Sequence, residues 1–161
     1  MNRARVTLAA AVAAMSLSAS ARAATPAVPP FIQRLIEARA GDLAYVATRV
    51  PFRYRYRTYS WNPARQTLDI RFADARLPLD GRHTVVFTVR RFGGTVASCS
   101  EGRQKTLQLD GNKVYWDGRV AWRCQRTSAG RLVRMSAAGP NLPDVALGIV
   151  VASGRRVARA G

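Results

Sequence analysis

Short segments in which apolar and polar residues alternate recur from residue 52 onward, and turn-forming residues separate them. Successive side chains of a β-strand lie on opposite faces, so each such segment has one apolar face to bury. The clearest turn is Asp110-Gly111, which joins the alternating segments 107–109 and 114–116. This residue pair accepts the positive φ angles of a tight hairpin. Consecutive hairpins of this kind predict an antiparallel sheet.

One segment has a helical period instead. Residues 31–40 place four large apolar residues at spacings of one, three and four, which forms the apolar stripe of an amphipathic helix. Gly41 and Asp42 mark the end of this helix, and a continuation through Leu43 to Val46 is left open.

The fold that these patterns predict is mainly β, with α+β as the alternative. It has one N-terminal helix packed on a curved antiparallel sheet, sandwich or partial barrel of about seven to eight short strands. The predicted strands are 52–58, 66–72, 84–92 with a continuation over 95–99, 107–109, 114–116, 120–124, 132–135 and 145–151.

The N-terminus has the three-part pattern of a secretory signal. Basic Arg3 and Arg5 precede an uncharged apolar stretch over 6–17, and the sequence Ala-Arg-Ala at 21–23 supplies a cleavage site. The apolar stretch is shorter than the roughly 20 residues that a transmembrane helix needs. We expect residues 1–23 to be removed on export and the mature chain, without a transmembrane segment, to be periplasmic or secreted. A buried or amphipathic N-terminal helix is the alternative.

The mature chain of about 138 residues has the length of one domain. We expect an extended Pro- and Ala-rich leader over 24–30, a single β-rich domain over 31–154 and a basic tail over 155–161. Loss of the three arginines of the signal lowers the formal net charge from +17 to about +14. Such a charge on a small domain attracts anions. Part of the arginine excess is compositional, because an Ala- and Arg-rich, Lys-poor sequence is typical of GC-rich bacterial genomes.

The two cysteines of the chain, Cys99 and Cys124, predict a disulfide. An even number of cysteines in an exported chain favours a structural bridge. Closing a loop of about 25 residues contributes roughly 3 kcal/mol of stability. A redox or metal role needs a C-x-x-C spacing or a neighbouring ligand, and the sequence has neither.

Motifs for catalysis, cofactors and metals are missing from the sequence. The single histidine, His83, has no nucleophile motif beside it. One histidine and two bonded cysteines cannot supply the four ligands of a structural zinc site. Several of the nine acidic residues stand in turns, where aspartate has a conformational role. We therefore predict no enzyme, no cofactor and no metal ion.

An arginine-rich face is the candidate binding surface. Arginine and aromatic residues alternate after Pro51, so a strand there shows guanidinium groups at intervals of about 7 Å. Guanidinium groups bind phosphate and carboxylate with two hydrogen bonds, and aromatic rings stack on sugars or bases. A solvated outer face that discourages edge-to-edge aggregation is the alternative. One predicted face carries Phe52, Tyr54, Tyr56 and Thr58, and the other carries Arg53, Arg55, Arg57, Tyr59 and Trp61.

The order of a helix, Gly41-Asp42 and a sheet pattern is similar to the opening of small NTF2-like domains. The resemblance covers about a quarter of the chain and implies a helix packed on a curved sheet. The acidic and histidine residues that line the pockets of enzymatic members have no counterparts here, so no functional residue is carried over.

These observations predict an exported, non-catalytic protein of the bacterial envelope or extracellular space that binds an anionic partner through the arginine-rich face. The partner is an anionic envelope component or an acidic protein, and export argues against nucleic acid. The alternative is a disulfide-stapled protein-interaction or inhibitor module, whose candidate surface is the Pro-rich loop 139–144 with one exposed apolar residue. An enzyme with a dispersed site is the third hypothesis. The oligomeric state is left open.

Overall fold

The residues that the computed structural model describes, 26–76 and 83–158, form two α-helices and nine β-strands. The predicted signal peptide, residues 1–23, lies outside the described residues. In chain order the elements are α1 (Pro30–Ala40), β1 (Tyr45–Ala47), β2 (Tyr54–Asn62), β3 (Thr67–Asp74), β4 (Thr84–Arg91), β5 (Lys105–Leu109), β6 (Asn112–Trp116), β7 (Val120–Arg126), β8 (Leu132–Ala138), α2 (Asp144–Ala152) and β9 (Gly154–Arg156).

Seven of the strands form one antiparallel sheet in the order β2-β3-β4-β8-β7-β6-β5. Two meanders, β2-β3-β4 and β5-β6-β7-β8, join where β8 pairs with β4, and Val89 lies opposite Met135 at this junction. A second sheet pairs β1 with β9, the first and last strands of the described chain. The prediction of a mainly β fold with an N-terminal helix and an antiparallel sheet is confirmed, and the large sheet is open rather than a closed barrel.

The face of the large sheet that carries Leu68, Ile70 and Phe72 is buried, and we call it the inner face. Helix α2 packs against β5, β6, β7 and β8, while α1 contacts β2. Each fully buried large apolar side chain contributes about 1.5–3 kcal/mol relative to an exposed one, so the burial of this layer stabilises the fold. Its other fully buried members include Ile36, Val85, Phe87, Val89, Val133, Met135, Ala137, Leu147 and Val150.

The predicted strand 145–151 is wrong, because this segment lies within α2. A short continuous apolar run has no period that separates a buried strand from a buried helix. Pro143 precedes the helix, and Asp144 is acidic in its first turn, where the helix dipole favours negative charge. Gly148 lets the helix lie close to the sheet, since a Cβ atom there would stand 2.6 Å from Cδ1 of Leu109.

Two further expectations about local structure are corrected. The continuation of the β4 strand over 95–99 is a turn that leads into a short 3₁₀ helix, Ser98–Ser100. The side chains of Thr95 and Ser98 hydrogen-bond to each other's backbone N–H groups there, which favours the turn over a strand. The N-terminal helix does not run to Val46, because a 3₁₀ turn, Gly41–Leu43, and then β1 follow it.

The folded domain extends past both predicted boundaries, 31 and 154. Val28, in the predicted leader, is 1 % exposed and belongs to the core. The predicted tail begins inside β9, where Arg155 and Arg156 pair with β1. Val157 is also buried, and its N–H donates to the carbonyl of Ala44. Both ends of the domain are therefore held by packing and backbone hydrogen bonds.

The predicted disulfide between Cys99 and Cys124 is confirmed, with the two Cα atoms 6.2 Å apart. It fastens the segment between β4 and β5 to the face of β7 opposite the core. Trp122 lies beneath this segment with 1 % exposure, and its indole N–H donates to the carbonyl of Cys99 at 2.6 Å. The bridge therefore covers a large aromatic side chain that the inner face does not bury.

Arg123 is a buried charged residue on the inner face of β7, 6 % exposed. Its Nε donates to the carbonyl of Val151 at 3.1 Å, and Nη2 donates to that of Gly154 at 2.8 Å. Its Nη1 donates to Oδ1 of Asn112 at 2.7 Å. Desolvation, followed by the charge of Arg155, lowers its pKa from the usual value. The side chain joins the sheet to the C-terminus of α2 and to β9.

We predict that Arg123→Met lowers the free energy of unfolding by about 2–4 kcal/mol, because the carbonyl groups of Val151 and Gly154 each lose a charge-assisted hydrogen bond. Urea denaturation of the disulfide-bonded protein measures this change. Arg126→Met on the same strand is the control, since Arg126 is exposed and its Nη1 donates to the exposed carbonyl of Gly130. It should change stability by less than about 0.5 kcal/mol. An Arg123→Met protein as stable as the parent would show that these carbonyls do not need the guanidinium.

Candidate ligand-binding site

A β-bulge at Arg57 sets the faces of β2. Tyr56 lies opposite Phe72 on β3, while the next pair joins Thr58 to Arg71, so Arg57 has no partner in the ladder. One extra residue in a strand shifts every later side chain to the other face. The alternation that begins at Tyr54 is therefore reversed after Arg57.

The predicted arginine-rich face is wrong in its second half for this reason. Tyr59 lies opposite Ile70 and Trp61 lies opposite Leu68, so both aromatic rings are on the inner face and pack against the core. The guanidinium of Arg39 on α1 stands over the ring of Tyr59, 5.9 Å from its centroid. The two aromatic residues pack in the core beside α1 and do not lie on the same face as the predicted arginines.

The three predicted arginines also lie in different surroundings and do not form one surface. Arg53 precedes β2 with a φ of 81°, and its guanidinium lies 5.5 Å from the centroid of the Phe52 ring. Arg55 is on the outer face, and its Nη1 donates to the carbonyl of Tyr54 at 2.8 Å. Arg57, at the bulge, is the member of this set that lines a large groove.

This groove lies on the outer face of the large sheet, opposite the core, and has a volume of about 1040 Å³. Its floor is apolar, with Val86, Ala138 and Val120 in one row across three neighbouring strands. The β6–β7 turn and the loop after β8 form walls. The lining residues that the structure describes are Arg57, Thr58, Arg71, Ala73, Thr84, Val86, Trp116, Gly118, Arg119, Val120, Ala138, Gly139, Pro140, Asn141 and Leu142.

Arginine residues line opposite sides of the groove. Arg57 and Arg71 project from β2 and β3, and Arg119 belongs to the turn before β7. Three inter-strand spacings separate β3 from β7, which is about 14 Å. Because an arginine side chain is long, guanidinium groups from both sides can reach a ligand that lies on the floor of the groove.

The described lining of the groove has an unbalanced positive charge. Among the lining residues that the structure describes none is acidic, and no described carboxylate lies within ion-pair distance of Arg57, Arg71 or Arg119. By contrast, Arg49 pairs with Asp110 elsewhere on the surface. Guanidinium groups without a carboxylate partner, set around a concave apolar floor, attract an anion and can hold it by charge-assisted hydrogen bonds.

A second hollow of about 530 Å³ adjoins the groove on the same face. Arg90 and Arg134 lie directly opposite each other there. The guanidinium of Arg134 stands 4.5 Å from the centroid of the Trp122 ring. Desolvation, followed by the charge of Arg90, lowers the pKa of Arg134. The described lining residues are Asn62, Arg65, Thr67, Asp69, Thr88, Arg90, Asp117, Val120, Arg134 and Ser136.

The loop 139–144, the predicted surface of the alternative function, forms part of the groove wall. Its residues 139–142 line the groove. Leu142, expected to be exposed, is half-buried and packs against the core. His83 stands directly before β4 and lines neither the groove nor the hollow.

Comparison with known proteins found no family model that matches the chain, no similar curated protein and no similar solved structure. In the part of the chain that the structure describes, neither helix has the length and apolar character needed to cross a membrane.

We predict that deletion of Arg57 leaves the fold intact. Without this residue Thr58 follows Tyr56 and still faces Arg71, so β2 becomes a regular strand and both later aromatic residues stay on the inner face. The free energy of unfolding should change by less than about 1 kcal/mol, measured by urea denaturation.

Deletion of Ser60 is the matched control. It leaves one residue too few between the bulge and the strand end, so either Tyr59 or Trp61 must leave the inner face. We expect a loss of about 2–4 kcal/mol, the lower part of the range for removing a large core side chain, because Tyr59 and Trp61 are half-buried. Equal stabilities of the two deletion proteins would contradict the bulge.

Proposed function

We propose that this protein is an exported, non-catalytic binding protein that holds an amphipathic anion in the groove on the outer face of its sheet. The observation that carries the proposal is the combination of an apolar floor with Arg57, Arg71 and Arg119, which have no carboxylate partner among the described residues. The ligand class is an apolar body with a carboxylate, phosphate or sulfonate group.

The shape of the site favours a small ligand over a charged polymer. Small-molecule sites have volumes of about 300–1,000 Å³ and are lined mostly by apolar residues with a few polar groups. The groove fits this description, and its curvature offers an apolar body a surface that a flat arginine stripe lacks. Burial of each CH₂ group contributes about 0.8 kcal/mol, and each hydrogen bond to a charged group contributes about 1.5–3 kcal/mol. The two parts of such a ligand therefore contribute comparable free energies.

The N-terminal pattern and the disulfide support an exported location. The basic start, the apolar stretch over 6–17 and the small residues at 21–23 are typical of a cleaved signal, and disulfides persist in oxidising compartments. In that setting the available partner is an anionic, lipid-like component of the envelope or its surroundings. The binding proposal requires no catalytic group.

Binding of dodecyl phosphate, measured by calorimetry below its micelle concentration, tests the proposal. The triple variant Arg57→Ser, Arg71→Ser and Arg119→Ser should bind this probe at least about 100-fold more weakly, because it removes three charged donors. Dodecyltrimethylammonium, which has the same chain and the opposite charge, should bind neither protein measurably.

The matched control is the triple variant Arg34→Ser, Arg91→Ser and Lys113→Ser. These exposed residues do not line the groove, and the variant loses the same three charges. At physiological salt, where charges are screened within about 8 Å, its affinity should change less than about threefold. Equal weakening in both triple variants would assign binding to net charge alone. No binding of dodecyl phosphate would overturn the proposal in favour of a protein partner.

The export part of the proposal predicts that the mature protein begins at Ala24. Mass spectrometry of the protein from the periplasm or medium of a bacterial host should show this N-terminus and no free thiol. Ala23→Tyr places a bulky residue before the cleaved bond and should retain the full-length chain, whereas Arg22→Ala should be processed normally. An unprocessed parent chain confined to the cytoplasm would contradict export.

A further inference from the structure

The hollow and the groove are parts of one continuous surface. Val120 lines both, and the turn before β7 contributes Asp117 to the hollow and Arg119 to the groove. Along β4 the floor of the groove at Val86 is two residues from Thr88 in the hollow. This separation along a strand is about 7 Å. A single ligand can therefore occupy both.

The polarity of the outer face changes between the groove and the hollow. The row that follows the apolar floor carries Asp69, Thr88 and Ser136 at adjacent positions of β3, β4 and β8. The hydroxyl of Thr88 donates to Oδ1 of Asp69 at 2.6 Å. Oδ1 of Asp117 accepts the backbone N–H groups of Arg119 and Val120.

Each of these two carboxylates keeps one oxygen that accepts no hydrogen bond from a described residue. Ionised carboxylates only accept hydrogen bonds, so a ligand that satisfies Asp69 and Asp117 must supply donors. The hydroxyls of Thr88 and Ser136 beside them can donate or accept. Vicinal hydroxyl groups of a sugar have the matching chemistry.

The arginines of the hollow require an acceptor. Arg65, Arg90 and Arg134 can only donate, and they outnumber the two acids. Arg90 and Arg134 face each other across the β4–β8 pair, where like charges are unfavourable. The charge of Asp117 offsets part of this repulsion at Arg134, and an anion between the two guanidinium groups would relieve the rest. The stacking of Arg134 on Trp122 fixes its direction. The ligand therefore carries a negative charge in the hollow as well as hydroxyl groups.

We infer that the hollow is the headgroup subsite of the ligand in the groove, and that this headgroup is an acidic sugar. The ligand is an amphiphile whose apolar body lies on the floor of the groove and whose sugar extends over Asp69 and Thr88 towards Arg90 and Arg134. The inference rests on the proposed function, because the groove must hold the apolar body.

Three probes with the same alkyl chain test the inference on the mature, disulfide-bonded protein by calorimetry below their micelle concentrations. Dodecyl β-D-glucuronide differs from dodecyl β-D-glucoside only at C6, where a carboxylate replaces the hydroxymethyl group. Dodecyl phosphate has no sugar. The glucuronide should bind at least about tenfold more tightly than the glucoside, because its carboxylate gains charge-assisted hydrogen bonds. Equal affinities for the two sugars would overturn the inference.

Two variants test whether the hollow binds the sugar and whether it causes the preference for the glucuronide. Arg90→Gln should remove most of the difference between glucuronide and glucoside, while Arg91→Gln, on the other face of β4, should keep it. Asp69→Asn should weaken both sugar probes about tenfold and should not weaken dodecyl phosphate. Glu101→Gln, an exposed acid outside the hollow, is its charge control. A preference for the glucuronide that survives Arg90→Gln would also overturn the inference.

Dodecyl phosphate separates this inference from the proposed function. If it binds through Arg57, Arg71 and Arg119 while the glucuronide is not preferred, the groove stands and the sugar subsite is wrong. If dodecyl phosphate does not bind at all, the proposed function is wrong, and the inference falls with it.

Discussion

The pairing of β4 with β8 makes two local meanders into one sheet, and both the core and the groove depend on it. On the inner face this junction sets Val89 opposite Met135, and on the outer face it sets Val86 opposite Ala138. Residues more than 40 positions apart in sequence must meet here, which costs loop-closure entropy. The floor of the groove exists only after the pairing forms, so a ligand that binds it also stabilises the junction.

The two faces of this sheet are covered by different parts of the chain. The inner face is covered by α1, α2 and the small sheet, and Arg123 supplies hydrogen bonds where the end of α2 meets β9. The outer face is covered at one end, where the disulfide holds Cys99 over Trp122. This division leaves the middle of the outer face open, and the groove with its apolar floor and the more polar hollow lie there.

Regular periods made most of the fold predictable, and the failures have local physical causes. Residues 31–40 and the strands flanking Asp110-Gly111 have clear periods, while the apolar run 145–151 has none, so its sequence does not separate a buried helix from a buried strand. The predicted faces of β2 are wrong after Arg57, because a bulge interrupts the strict alternation on which the prediction rests. The signal of the bulge is present in the sequence: the aromatic residues Tyr54, Tyr56, Tyr59 and Trp61 are spaced by two, three and two. The single spacing of three marks the extra residue.

The site itself was only partly predictable, since its arginines come from distant parts of the chain. Arg57 was a predicted binding residue, but Arg71 and Arg119 join it only through the strand order that the β4–β8 pairing creates. None of these three guanidinium groups makes an ion pair with a described carboxylate, and none is buried in the core. Their mutual repulsion opposes folding weakly and an anion relieves it. The stability of the fold does not require the groove arginines, and the proposed binding of an anionic ligand accounts for their position.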